Sequence, residues 1–423
     1  RSNGGGCSGS AAGRGASEGG GGGGGGGDGG MGCTASGTAL ASASVRWAAV
    51  WQPLRALMLQ RSYDAFAAAI VRSVARDLQI DCRVLQRAAD SVIEHLVAMD
   101  AVGDAALRSA GSAAGSSLSG HLPGALPASA AASPVGAAAC GRAAAPAEGV
   151  AWALAGLLGA TRGVSTLTLW PDGPQSSATH VQLRRVSPRV GAQAIIGVSG
   201  LLSQHEGAAG CRLTEEQLSA CWSAAAAFLD VSEWWTLAWG SGALSSLSSA
   251  LHASAAPSNF AHAFKMRALW SKCYDSAKAA ATRLASHLRA RRCGERPVSL
   301  VGVSIGARVV WHCLELLAEM PNSEGCGLVH DVLLLAAPVT LNAARWERLK
   351  PVVAGRLVNA YAPDNVQLGT LYRSNHLTSQ GCCGLHPVPS PTVENFDATP
   401  LVAVDADAYH FAVPAVLEAT NFW

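Results

Sequence analysis

Between Pro297 and Met320 the chain changes period once, abruptly. Val298-Ser-Leu-Val-Gly-Val303 is an apolar run of strand length, and Ala307 to about Met320 follows a helical pattern. Only Ser304, Ile305 and Gly306 lie between them. A strand that feeds a helix through so short a turn crowds the two backbones, and Gly302 and Gly306 remove side chains where they meet. The bend projects the Ser304 hydroxyl from the sheet edge and aims the first N–H groups of the helix at a developing negative charge. Gly-x-Ser-x-Gly alone carries little weight. Gly15-Ala-Ser-Glu-Gly19 matches it too, inside a glycine-rich tract where neither strand nor helix is expected. The bland reading of Ser304 is an incidental serine in a strand–turn–helix crossover, so the partners decide.

Composition limits how much of the 423-residue chain can support such a turn. Residues 1–45 are mostly Gly, Ala and Ser, with an unbroken glycine run from Gly19 to Gly27, and residues 101–148 are dominated by Ala, Ser, Gly and Pro. Neither segment offers enough apolar surface to offset the entropy of ordering, and both are expected to be disordered. The expected organisation is a tail over 1–45, a helical hairpin over 46–100, a linker over 101–148 and a large domain over 149–423. In the hairpin, Phe66, Ile70, Val74 and Leu78 recur every four residues with Arg72, Arg76 and Asp77 on other faces, which predicts the former as the buried stripe. A second helix is expected from Cys82 to Met99, with Leu85, Ala88, Val92, Ile93 and Leu96 on one side.

From Gly163 the period becomes that of strands. Val164–Trp170 alternates, Pro171-Asp-Gly-Pro174 turns, and His180–Val186 returns as an antiparallel partner. Apolar runs at Ala194–Ser199, Glu233–Trp239, Val298–Val303, Asp331–Ala336 and Leu357–Tyr361 are separated by helix-length segments such as Thr214–Leu229 and Phe264–Arg292. Strands alternating with helices predict a mainly parallel sheet covered on both faces. With the elbow at Ser304, the expected class is α/β, with an α/β-hydrolase fold.

In that fold a serine nucleophile, an acid and a histidine follow one another along the chain. The strand Leu357–Tyr361 ends in Ala362-Pro-Asp-Asn365, so Asp364 is the candidate acid, although Pro-Asp-Asn is also ordinary turn chemistry. Asp397, Asp405 and Asp407 are alternatives. Of the later histidines, His376 and His386 flank the loop Gly381–Gly384, whereas His410 precedes a final helix expected from Val413 to about Phe422, with Pro414 in its first turn. His410 is therefore the candidate base. The oxyanion donors are the backbone N–H of Ile305 and, by position after Ala194–Ser199, those of Gly200 and Leu201. A lid falls within 240–264 or 340–350.

Other classes are disfavoured. The 31 basic and 29 acidic residues leave a formal charge of +2, with no basic stripe interleaved with aromatics, so no nucleic-acid partner is expected. No phosphate-loop lysine follows Gly306. Twelve cysteines without paired framework spacing are expected to be free thiols, with no metal site and no cofactor. No signal peptide is visible, and the longest apolar candidate, Gly149–Ala160, falls short of the roughly 20 residues that cross a bilayer.

An ordered series of motifs resembles the transmembrane and coiled-coil domain-containing protein 4 family, an α/β-hydrolase-like group of largely unknown activity. The series comprises Arg296–Val310, Asp331–Val339, Gly355–Tyr361, Leu368–Arg373, Gly384–Val388 and Val393–Asp397, with weaker echoes at Ile195–Leu202 and Ser62–Leu96. The resemblance implies a Ser304, Asp364, His410 constellation in an intracellular protein, cytoplasmic or membrane-associated. The family's long Gly/Ala-rich membrane segments are here reduced to Gly149–Ala160 and its surroundings. The expectation is a serine hydrolase acting on an ester or lipid ester through an acyl-enzyme. The alternative is a catalytically silent hydrolase-fold scaffold or trafficking module whose partner is a protein or the periphery of a membrane.

Overall fold

The computed structural model describes residues 34–117, 145–169, 181–200, 215–252, 260–375, 381–402 and 408–422. Two compact units divide after Val45, and the sheet and the helices that cover it belong to Arg46–Trp423. Among the described residues eight strands form one sheet: β1 Thr166–Thr168, β2 Gln182–Arg185, β3 Ala194–Val198, β4 Glu233–Ala238, β5 Val298–Val303, β6 Val332–Leu335, β7 Leu357–Tyr361 and β8 Glu394–Asp397. Their spatial order is β1-β2-β4-β3-β5-β6-β7-β8. β2 runs antiparallel to β1 and β4, and every pairing from β4 to β8 is parallel. This is the α/β-hydrolase architecture that the sequence predicts. The interior strands β3, β5 and β6 are buried along their whole length, which explains their unbroken Val/Ile/Leu runs. β8 was not legible as a strand because it is an edge, with Glu394, Asn395 and Asp397 exposed.

The connections fix where a site can lie. Helices α1 Thr34–Leu59, α2 Ala65–Asp77, α3 Cys82–Ser117 and α4 Ala145–Leu158 precede the sheet; α5 Glu215–Leu229, α6 Ser241–His252, α7 Phe260–Arg289, α8 Ile305–Ala318, α9 Ala343–Glu347, α10 Val366–Asn375 and α11 Ala408–Ala419 accompany it. The chain leaves β3 toward β4 through α5 but leaves β5 toward β6, in the opposite direction, through α8. Right-handed crossovers in opposite directions put their helices on opposite faces. Accordingly α8 packs with α7, which also contacts α6 and α10, while α5 packs with α11. In such a sheet the ligand crevice lies outside the carboxyl ends of the strands where the winding reverses, here β3 and β5.

Helices α1 to α4 depart from the expected hairpin. Helix reaches back to Thr34 and on to Ser117, into segments expected to be disordered; their alanine content suits a helix better than any other element. The apolar stripe expected on α2 is corrected. Phe66, Ile70 and Val74 are 48%, 64% and 41% exposed, whereas Ala65, Ala68, Val71, Arg72 and Ala75 are buried. Small residues let α2 approach closely, and the charge of Arg72 is drawn inward by a buried partner described below. On α3, Leu85, Ile93 and Leu96 are buried as expected. Residues 149–158, assigned to the large domain on sequence, lie in α4, whose Leu154, Leu157 and Leu158 share one apolar cluster with Val50, Leu54, Met58, Val71 and Ile93. No helix among the described residues is long and apolar enough to cross a membrane.

Candidate active site

Ser304 closes β5 and caps α8 with φ 53° and ψ −129°, a left-handed conformation that a non-glycine residue holds only under constraint. The constraints are visible. The Ser304 N–H donates to the Leu335 carbonyl at 2.8 Å, and its own carbonyl accepts from Ala307 N at 3.0 Å. A Cβ on Gly302 would lie 2.5 Å from Ala307 Cα, and one on Gly306 would lie 2.3 Å from the Val198 carbonyl oxygen. Both glycines are therefore demanded by close backbone approach, as the spacing predicts. The serine itself is half-buried at the crevice, while Ile305 behind it is fully buried.

β3 delivers the second wall. Gly200, just beyond its end, presses so closely that a Cβ there would lie 2.7 Å from Ile305 N, 2.9 Å from Ser304 Cβ and 2.6 Å from the Val303 carbonyl oxygen. Two of the expected oxyanion donors, Gly200 and Ile305, thus sit side by side next to the serine. Leu201 lies outside the described residues. The sequence reading missed what holds this turn: Trp222 Nε1 on α5 donates to Ser199 Oγ at 2.7 Å, and Trp239 Nε1, after β4, donates to the Ser199 carbonyl at 3.0 Å. Nothing in the spacing of two tryptophans so distant in sequence marks them as neighbours.

Asp364 occupies the turn after β7 and is exposed. His410 lies in the first turn of α11, which corrects the expected helix start: α11 begins at Ala408 and carries Pro414 in its interior. Pro414 has no N–H to return to the His410 carbonyl, so that first turn is held from outside. Tyr409, almost fully buried, holds it through a side-chain hydrogen bond with Asn365, next to Asp364. Burial pushes its phenol up, and the nearby Asp364 charge adds to the effect. The acid and base candidates therefore come from adjoining turns, although 46 residues separate β7 from α11. One strand, β6, separates β5 from β7, which sets their axes about 10 Å apart.

The competing candidates are exposed at this edge or lie outside the described residues. Asp397 is exposed, and hydrogen bonds from Thr399 hold its carboxyl below the usual range. Asp405, Asp407 and His376 lie outside the described residues. His386 is exposed, and the loop beside it is less exposed than its composition implies: Cys382, Cys383 and Leu385 are buried. Cys383 N donates to the Val339 carbonyl and Ala362 N to the Gly384 carbonyl, so the loop seals the ends of β6 and β7. Its thiols are free, and burial pushes Cys382 up to about 11 and Cys383 well above its ordinary value, which makes them poor nucleophiles.

A cavity of about 30 Å³ lies at the opposite, amino-terminal edge of the sheet, lined by Tyr63, Val71, Arg72, Gln193 and His330 among others. It is large enough for only one or two waters and is remote from Ser304 along the strands.

The matching family is the protein of unknown function DUF726, over residues 239–423. The rice transmembrane and coiled-coil domain-containing protein STS1 is 44% identical over 133 residues, 31% of this chain and 20% of that protein. The yeast protein named probable lipase MIL1 is 33% identical over 134 residues, 31% of this chain and 12% of its own length. This chain thus aligns with a fifth or less of these two relatives. An α/β-hydrolase enzyme from a Medee basin deep-sea metagenome library aligns at a TM-score of 0.25 with 9% identity, covering 61% of this chain and 96% of that one. The motifs from Arg296 to Asp397 that carry the family resemblance all lie within the region that the family model matches.

Proposed function

We propose that the protein is a serine ester hydrolase. The observation that carries this reading is the strained Ser304 at the crevice, with Ile305 N and Gly200 packed beside it. A left-handed serine packed against three close-approach glycines is strain of the kind that clusters at active sites. In the mechanism that follows, His410 takes the Ser304 proton as Oγ attacks the ester carbonyl carbon. Asp364 holds the imidazole tautomer, and the Ile305 N–H with that of Gly200 or Leu201 stabilises the tetrahedral oxyanion. The carbonyl re-forms as the C–O bond to the alcohol breaks, and His410 returns the proton to the leaving oxygen. Water, deprotonated by the same histidine, then releases the acid and restores Ser304. The gap of about 10 Å between β5 and β7 is one that an imidazole with a hydrogen bond at each end spans.

A lipid ester is the favoured substrate class, supported by the name of the yeast relative and by the membrane designation of the rice relative. Contact with a membrane would then be peripheral as far as the described helices go. The test is labelling by a fluorophosphonate probe, with Ser304→Ala and His410→Ala alongside. Labelling of the wild type that disappears in both variants, with unchanged melting, is the expected result. A well-folded wild type that does not label overturns the enzyme reading in favour of a silent scaffold.

A further inference from the structure

We propose that Trp222 and Trp239 are positioning residues for the oxyanion-binding turn, an inference that rests on the esterase reading above. Both indoles reach one residue, Ser199, from separate elements: Trp222 from α5 and Trp239 from the end of β4. Trp222, Trp239 and Ser199 are each no more than 2% exposed, so the two hydrogen bonds form without competition from water. Trp222 is also wedged against the sheet, since a Cβ on Gly197 would lie 2.4 Å from its ring.

The geometry gives the second bond a directional consequence. The Ser199 carbonyl and the Gly200 N–H belong to one planar trans peptide, and so point in opposite directions. Anchoring the carbonyl on Trp239 fixes the plane and with it the direction of the Gly200 N–H. The same peptide lies against the elbow, where Gly306 leaves room for the Ser199 backbone and Gly200 touches Ile305 N. Trp222 pins the side chain of the same residue, so the turn cannot rotate about either end. An oxyanion donor is worth most when it is fixed before charge develops. Neither indole needs to touch the substrate, and their effect is expected in kcat rather than in KM.

The experiment compares the full chain with Trp239→Phe, Trp222→Phe and Ser199→Ala, using fluorophosphonate labelling rates and steady-state hydrolysis of a short p-nitrophenyl ester. Phenylalanine keeps an aromatic ring in place and removes only the donor. The expected result for Trp239→Phe is a fall of about tenfold or more in kcat and labelling rate, with KM changed less than about twofold. Trp222→Phe and Ser199→Ala should each lose rate, and the double variant should lose no more than the larger single loss. Wild-type rates in a folded Trp239→Phe would overturn the positioning role while leaving the esterase reading intact. So would losses that rise equally in KM. Additive losses for the Trp222/Ser199 pair would overturn the part assigned to Trp222. If Trp239→Phe does not fold, the Ser199→Ala and Trp222→Phe rates decide. Absence of labelling in the wild type overturns both readings together, and that outcome is distinct from each of the others.

Discussion

The two edges of the sheet are built from opposite materials. At the carboxyl edge, backbones touch through Gly200, Gly302 and Gly306, a serine is held at positive φ, and the visible anchors are neutral hydrogen bonds from indoles and peptide groups. At the amino edge, buried charge is paired. Arg72 of α2 binds Asp331, which leads into β6, and also faces His330 Nδ1 at 3.3 Å. Asp90 of α3 accepts from Ala192 N at 2.7 Å and Ser232 N at 2.8 Å, just ahead of β3 and β4. Arg296 binds Glu233 at 2.6 Å, both side chains fully buried. The carboxyl edge presents Ser304, and the amino edge clamps the helical layer to the sheet. Stability and the presentation of Ser304 are separable here, because the strands that join the two edges are fully buried.

The largest effect expected on the clamp is from Arg72→Ala. It strands the Asp331 carboxylate in a dry site and should lower stability by about 3–5 kcal/mol, read by denaturant unfolding. Fluorophosphonate labelling of the fraction that stays folded should persist; its complete loss would break the claim that the edges are separable. Gly306→Ala puts a methyl against the Val198 carbonyl and should cost about 1–3 kcal/mol. Unlike Arg72→Ala, it should also abolish labelling of the folded protein.

A weaker effect concerns pH. Burial, with the Arg72 charge adding to it and Asp331 opposing, lowers His330 to about 4 from an ordinary 6.5. The folded state then takes up its proton later than the unfolded chain, so stability is complete above about pH 6.5 and falls as pH drops toward 4. Burial raises Asp90 to about 6 from 3.8, against the hydrogen bonds it accepts, and so works in the other direction, with stability falling as pH rises between those values. His330→Gln should remove only the first contribution. The slope of unfolding free energy with pH between 4 and 6.5 should become less positive by up to about 1.4 kcal/mol per pH unit. An unchanged slope would show that His330 is not held neutral. The smallest effect should come from Ile70→Ser, within about 0.5 kcal/mol, because the side chain is exposed. A loss of several kcal/mol would restore the α2 face that the heptad-like spacing suggests.

The legible parts of the molecule are those where local and tertiary demands agree. β5 and β7 fall on their expected residues because an unbroken apolar run between turn signals has one reading. The elbow was equally legible, since Gly302 and Gly306 answer to contacts within one strand and the helix it feeds. α2 misled because its periodicity was real but irrelevant: Ala68 and Ala75 permit closer packing than Phe66 and Ile70, and Asp331, 259 residues away from Arg72, turns the helix inward. β8 and the start of α11 carried no apolar period, and Pro414 looked like a helix start when it lies inside one.

The sequence alone suffices for the strand–elbow–helix unit and the parallel sheet, because each depends on residues close together or on strand sequence. Tertiary structure alone decided that Gly200 would touch Ile305, that Tyr409 would bring the His410 turn beside Asp364, and that two distant indoles would grip Ser199. Those contacts arise where separate crossovers converge at one sheet edge, and spacing along a chain does not encode which side chains a crossover will bring face to face.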